Sequence, residues 1–206
     1  MLKIDKILES KYGNMETFSL VIDEVTAEEA NIFRRSMTTE VDCYATKMIN
    51  LISNESSLRT PEIAHRIGLI PISNEQLDKN FRNESNNMYK CELNITNTSS
   101  SNYDVFSNSI ELLDLSDHGT GIYPYASDFK ITQLKPGQSL NMFLFIDKNN
   151  GIENIRYRPC KCQKFKETES GFNIEFLNFG ILKTNKIIEK AIESCKKYGL
   201  VISKNI

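Results

Sequence analysis

Residues Ser57 to Pro71 are punctuated for a helix of only two turns, and that brevity constrains the rest of the chain. Thr60 is placed to cap it, Pro61 falls at the first helical position where a missing N–H does no harm, and Gly68 suits a left-handed residue just past the end. Leu69 then fits the apolar contact that follows such a glycine, and Pro71 prevents continuation. Ile63 and Ile67 form an i, i+4 pair on one face. So short a helix does not hold together alone in water, so this pair needs a surface to pack against.

Strands can supply that surface. Phe18, Leu20 and Ile22 alternate within Thr17–Ile22, after a turn signal at Gly13-Asn14. A helix follows, with Thr26 as its cap, Glu29 completing a capping box, and Glu28 and Glu29 at the positive end of the dipole. Within it Ala30, Phe33 and Met37 make an apolar stripe flanked by Arg34 and Arg35. Cys91–Thr96 alternates again, Ser99 to Asn102 reads as a loop tip, and the stretch from Ile110 to Leu115 leads into a polar loop with Gly119 and Gly121. Phe129–Thr132 and Leu140–Phe145 are predicted to form a hairpin, because Pro136 and Gly137 between them fit the centre of a type II turn.

The C-terminal part repeats the opening order. Phe172–Phe176 alternates as a strand, Gly180 ends it, and Thr184 is placed to cap a helix carrying Ile188, Ala191, Ile192 and Cys195 on one face. Lys196 and Lys197 suit its last turn and Gly199 its C-cap. The pattern predicts an α+β fold, with strand then helix at both ends and a β-rich stretch between them. No repeat at a fixed period is evident.

Charge and cysteine usage narrow the function. With 25 Lys and Arg against 27 Asp and Glu, the net charge of −2 argues against a dedicated nucleic-acid binder. No apolar run approaches the roughly 20 residues of a spanning helix, and Met1 to Lys6 alternates charged with apolar residues as no signal peptide does. Five cysteines, at 43, 91, 160, 162 and 195, make no disulfide framework. An intracellular globular chain is expected.

Chemical motifs are sparse. His65 and His118 are too few for most acid–base schemes, and no nucleophile elbow, phosphate loop or dinucleotide fingerprint is present. Cys160-Lys161-Cys162 is the best metal or redox candidate, but a structural zinc wants a second spaced pair, which the other cysteines do not supply. The bland reading is that Cys160 and Cys162 are two strand residues after Pro159. By exclusion the chain reads as a scaffold or interaction protein.

Two segments carry a more specific signal. Ala30 to Arg35 followed by Glu40-Val41, and then the ten residues Glu62 to Pro71, resemble the signature of the alpha-like subunit of multisubunit DNA-directed RNA polymerases. That family includes the third subunit of eukaryotic polymerase II, its archaeal counterpart and the bacterial alpha N-terminal domain. The likeness continues through Phe106-Ser107-Asn108, Ile131 to Leu140, Gly151 to Pro159 and Gly180-Ile181-Leu182, in the family's order.

The resemblance implies a discontinuous dimerisation domain, an antiparallel sheet with two helices, at about 1–48 plus 166–206. A β-rich inserted domain would occupy about 49–165. It implies a non-catalytic assembly subunit that pairs with a smaller alpha-like subunit through Ala30, Phe33, Met37, Ile188, Ala191, Ile192 and Cys195. Arg34 and Arg35 would contact the beta-like, second-largest subunit. Glu62, His65 and Arg66 would lie at a domain junction or a partner contact. Small zinc-bearing adaptor subunits complete the expected partners, with no direct sequence-specific nucleic-acid contact and no membrane.

The departures from the family also inform. Where many eukaryotic members carry a four-cysteine zinc loop only Cys91 stands, so no metal or other cofactor is expected. Asp42 stands where a proline is common, and Pro61 where an aspartate is. A bacterial-type C-terminal DNA-binding domain is not expected, since the sequence stops at Ile206. The compact, Asn- and Ile-rich sequence suits a large DNA virus encoding its own polymerase, with an archaeal or protist source as the alternative. The site of action would then be nucleus, cytoplasm, or virus factory and virion.

Overall fold

In the computed structural model, which describes residues 2–9, 15–80, 88–113 and 118–200, the chain divides into two units. One comprises residues 1–43 and 149–206, the other residues 44–148. In chain order the elements are β1 (Leu2–Glu9), β2 (Glu16–Asp23), α1 (Ala27–Arg35), a π turn (Ser36–Glu40), β3 (Cys43–Asn54), α2 (Thr60–Gly68), α3 (Asn74–Asn80) and β4 (Met88–Thr96). There follow β5 (Tyr103–Phe106), β6 (Glu111–Leu112), β7 (Lys130–Leu134), β8 (Ser139–Asn149), β9 (Cys160–Glu167), β10 (Gly171–Asn178) and α4 (Thr184–Cys195), which ends in a short 3-10 turn. The fold is mixed α+β, and its registered strand pairs are antiparallel.

The discontinuous unit is a four-stranded sheet in the order β1-β2-β10-β9. Alternation puts Phe18, Leu20 and Ile22 of β2 and Phe172, Ile174 and Phe176 of β10 on one buried face. Phe18 and Phe176 are direct partners across the strands, their rings stacked at 5.4 Å. Helices α1 and α4 cover this face, and Phe33, Met37, Ile187, Ile188 and Ala191 complete its core. Gly171 is required where β10 meets β2, since a Cβ there would stand 2.0 Å from the Ile22 carbonyl oxygen.

The other unit carries a sheet in the order β3-β8-β4-β6 and a two-stranded sheet, β5-β7. Leu140, Met142, Leu144 and Ile146 of β8 face the core with Tyr89, Cys91 and Leu93 of β4. Ile63 and Ile67 of α2 bury themselves in that core, which gives the two-turn helix the surface it requires.

Several local expectations need correction. α2 begins at Thr60, so Arg59 and not Thr60 is the cap residue, and no side chain caps it. Gly68 stays inside the helix; the end is a right-handed Leu69, with the Leu69 and Ile70 amides bonding the Arg66 and Ile67 carbonyls. Leu69 is 53% exposed, and Ile70 takes the buried place instead. Thr184 likewise opens α4 after a Lys183 cap, because its hydroxyl is taken by Glu16 Oε2 at 2.9 Å and by Asn178 Nδ2 at 3.1 Å. The Pro136-Gly137 turn forms, with Gly137 at φ +78° and the Gln138 amide on the Lys135 carbonyl, yet β7 and β8 do not pair. Instead β7 pairs with β5, and β8 lies between β3 and β4. The Gly13-Asn14 turn and residues 114–117 at the end of the apolar stretch lie outside the described residues.

The division between units falls after Cys43 and after Lys148, so β9 and the Gly151–Pro159 loop sit in the discontinuous unit. Among the described residues no helix is long and apolar enough to cross a membrane.

Candidate functional site

The helical layer of the discontinuous unit starts from a complete capping box. The Glu29 amide donates to Thr26 Oγ1 at 3.3 Å, and the Thr26 amide donates to Glu29 Oε2 at 2.8 Å. After Arg35 the helix widens into the π turn. Thr38 Oγ1 donates to the Arg34 and Arg35 carbonyls, and Thr39 Oγ1 donates to the Arg35 carbonyl at 2.9 Å. Hydroxyls bonding back onto the preceding turn satisfy carbonyls that the widened turn leaves over.

The π turn carries two links to the rest of its unit. Glu40 takes a hydrogen bond from Ser194 Oγ of α4 on one carboxylate oxygen and one from the Tyr198 hydroxyl, at 2.9 Å, on the other. That carboxylate holds the Tyr198 phenol above its ordinary pKa, because it accepts the phenol's proton in a hydrogen bond. The Cys160 thiol donates to the Met37 carbonyl at 3.3 Å. Sequence reading noted Glu40 only as part of a motif and missed Ser194 and Tyr198. Tyr198 stands three positions after Cys195, an i, i+3 spacing that could have drawn attention to it.

The residues expected at a small-partner interface are brought together, but inward. Ala30, Phe33, Met37, Ile188, Ala191 and Cys195 are all buried in the unit's own core, and Ile192 is half-buried against it. The stripes therefore fill a private core, with the inward faces of β2 and β10 supplying its other side. What the two helices leave partly uncovered is Ile32 on α1 and Ile192 on α4.

Arg34 and Arg35 separate by environment. Arg34 is half-buried and donates through Nε and Nη2 to Asn31 Oδ1, at 3.2 and 2.8 Å. Arg35 is exposed. In the other unit, Glu62 and His65 are exposed on α2, while Arg66 reaches across to donate through Nη1 to the Ile131 carbonyl of β7 at 3.1 Å. Arg66 thus ties α2 to β7 inside one unit.

The cysteines are free thiols, all buried except the half-buried Cys162. Burial pushes Cys91 and Cys160 well above the ordinary thiol range; Cys162, half-buried, is raised too, with the Arg34 charge opposing. A raised thiol is a poor nucleophile and a poor metal ligand. Among the described residues no group of three or more His, Cys, Asp or Glu is placed to hold a metal.

The helix stripes are thus buried, the π turn is tied to α4 through Glu40, and Arg35 is exposed at the end of α1. No family model matches the chain. Its homologues are alpha-like subunits of DNA-directed RNA polymerases. It is 27% identical over 169 residues to subunit rpac1 of polymerases I and III of Dictyostelium discoideum, covering 73% of this chain and 48% of that one. To subunit rpb3 of polymerase II of the same organism it is 26% identical over 161 residues, 70% of this chain and 52% of that one. To subunit Rpo3 of Methanocaldococcus jannaschii it is 24% identical over 198 residues, 95% of this chain and 92% of that one. The chain spans about half the length of the curated eukaryotic relatives it matches and nearly all of the Methanocaldococcus one.

Proposed function

We propose that this chain is a non-catalytic assembly subunit of a DNA-dependent RNA polymerase. The observation that carries the reading is the similarity to archaeal Rpo3 along 95% of this chain. In this reading the discontinuous unit is the dimerisation domain, its α1–α4 layer facing a smaller alpha-like subunit. The buried stripe positions the two helices, and the contact itself falls to Ile32 and Ile192 with the polar residues around them. Arg35, exposed at the end of α1, meets the beta-like subunit more readily than Arg34, which Asn31 holds. Glu62 and His65 are the partner-facing residues of α2, and Arg66 positions them. Small zinc-bearing adaptor subunits dock on the resulting heterodimer. The chain acts wherever that polymerase transcribes, in nucleus, cytoplasm or virus factory.

The test is co-expression with a smaller alpha-like subunit, followed by mass measurement in solution. A 1:1 complex is expected for the parent chain. The pair Ile32→Asp and Ile192→Asp should abolish it while leaving the chain folded, because an uncompensated charge is placed in an apolar contact. An Asp at Phe33 or Ile188 cannot test the interface, since both side chains are buried in the chain's own core. A double mutant that still co-purifies fully would remove the helix layer from the reading. The raised, core-facing Cys160 thiol gives little support to the alternative of a metal or redox module.

A further inference from the structure

Strand β9 ends its sheet: one side pairs with β10, and from Gln163 to Glu167 every residue is exposed. The register sorts its side chains. Lys161, Lys164 and Lys166 stand opposite Leu177, Glu175 and Asn173, on the face turned away from the helices. Lys164 is paired there with Glu175 Oε2 at 2.8 Å. Phe165 stands opposite Ile174 on the core face, with Cys162 half-buried on the same side. Its ring packs on Phe172 at 5.2 Å, yet 41% of the residue is exposed, so the core row ends in an uncovered aromatic.

Lysines on an edge strand commonly guard against stray pairing. A guard does not call for a large apolar side chain left open on the opposite face, and β9 has both. Basic residues on one face and an open apolar position on the other match one kind of incoming strand. We propose that the β9 edge, from Lys164 to Glu167, docks an extended segment of another protein in which acidic and apolar residues alternate. Its main chain continues the sheet, its acidic side chains meet Lys164 and Lys166, and its apolar side chain covers Phe165. Gln163 has no partner on β10, and this bulge ends the docking stretch on that side. A nucleic acid fits less well: the basic face offers Leu177, Glu175 and Asn173 beside the lysines, with no ring for a base to stack on and a carboxylate against its phosphates.

The experiment titrates the full chain, by calorimetry at low salt, with the peptide Val-Glu-Val-Glu-Val-Glu-Val. A peptide of the same composition in block order, an alternating peptide N-methylated at every second residue, and a thymidine oligonucleotide serve as comparisons. The alternating peptide should bind, slow hydrogen exchange at residues 164–167, and weaken by about tenfold or more in the variant Lys164→Glu with Lys166→Glu, whose circular dichroism stays that of the folded parent. Equal binding of the block or N-methylated peptide reduces the surface to charge alone and overturns the proposal. Tighter binding of the oligonucleotide, or no binding of the alternating peptide, overturns it as well.

Discussion

Glu40, at the end of the π turn, accepts a hydrogen bond from Ser194 on α4, a residue 154 positions later in the chain. Ser194 is buried and Glu40 half-buried, so the bond closes the first half of the discontinuous unit onto the second with water partly excluded. Replacing Glu40 with Ala should cost about 1–3 kcal/mol, because it orphans a buried hydroxyl and frees Tyr198. Glu40→Gln, which keeps one acceptor oxygen, should cost less. Urea unfolding followed by circular dichroism distinguishes the two, and equal, negligible losses would mean that the contact contributes nothing.

Two glycines predict opposite behaviour for one substitution. Gly171→Ala drives a Cβ into backbone, 2.0 Å from the Ile22 carbonyl oxygen and 2.8 Å from the Asp23 Cα, so the β2–β10 pairing must shift. A loss of about 2–4 kcal/mol is expected. Gly137→Ala meets open space and suffers only from its φ of +78°, about 1 kcal/mol. Comparable melting temperatures for the two variants would contradict the close approach of the strands.

Thiol labelling should follow burial. At about pH 8 a free thiol of ordinary pKa reacts readily with iodoacetamide. Cys91 and Cys160, pushed up by burial in their cores, should stay unlabelled until denaturant is added, while half-buried Cys162 labels first. Mass spectrometry of the digested protein reads the order. Early labelling of Cys160 would show that the start of β9 opens from beneath the π turn.

One solvent-accessible carboxylate contributes to the acid limb of the pH profile. Asp104 on β5 is held below the usual aspartate range by its ion pair with Lys130 on β7, Nζ to Oδ1 at 2.7 Å, and secondarily by Gln133 Nε2. The native state binds that proton less tightly than the unfolded chain. The contribution is therefore present above the unfolded value of about 3.9 and is lost as pH falls through the lower folded one. An NMR titration should place the Asp104 midpoint below the ordinary value in the parent and return it upward in Lys130→Met. An unchanged midpoint would show that the pair is too solvated to bind.

The sequence made some of this legible, and physical reasons separate what it made legible from what it did not. Thr26 capped as expected because its partner, Glu29, is three residues away and the whole motif is local. Thr184 looked equally good, yet its hydroxyl serves Glu16, 168 positions earlier, and no local pattern encodes that partner. Pro136-Gly137 fixed a turn but not the pairing, since Asn97 engages that turn: its amide and carbonyl bond the Gln138 carbonyl and the Gly137 amide, leaving β8 to pair with β3 and β4. Periodicity found the faces of α1 and α4 correctly. It could not say what covers them, because a private core and a partner subunit make the same demand for Phe33 and Ile188. The π turn had no signal in the spacing; the back-bonding of Thr38 and Thr39 depends on a local backbone conformation that no residue pattern specifies.

Two neighbours on α2 now invite separate predictions. Arg66 donates to the Ile131 carbonyl, so Arg66→Ala removes a tie between α2 and β7 and leaves the short helix held by Ile63 and Ile67. A loss of about 1–2 kcal/mol is expected, with faster hydrogen exchange confined to residues 60–68. His65 is exposed on the same helix, and His65→Ala should leave stability within about 0.5 kcal/mol of the parent. If His65 serves a partner subunit, that variant loses complex formation while the free chain melts unchanged. If both variants weaken the free chain equally, the division between a positioning arginine and a partner-facing histidine fails, and α2 acts through its packing alone.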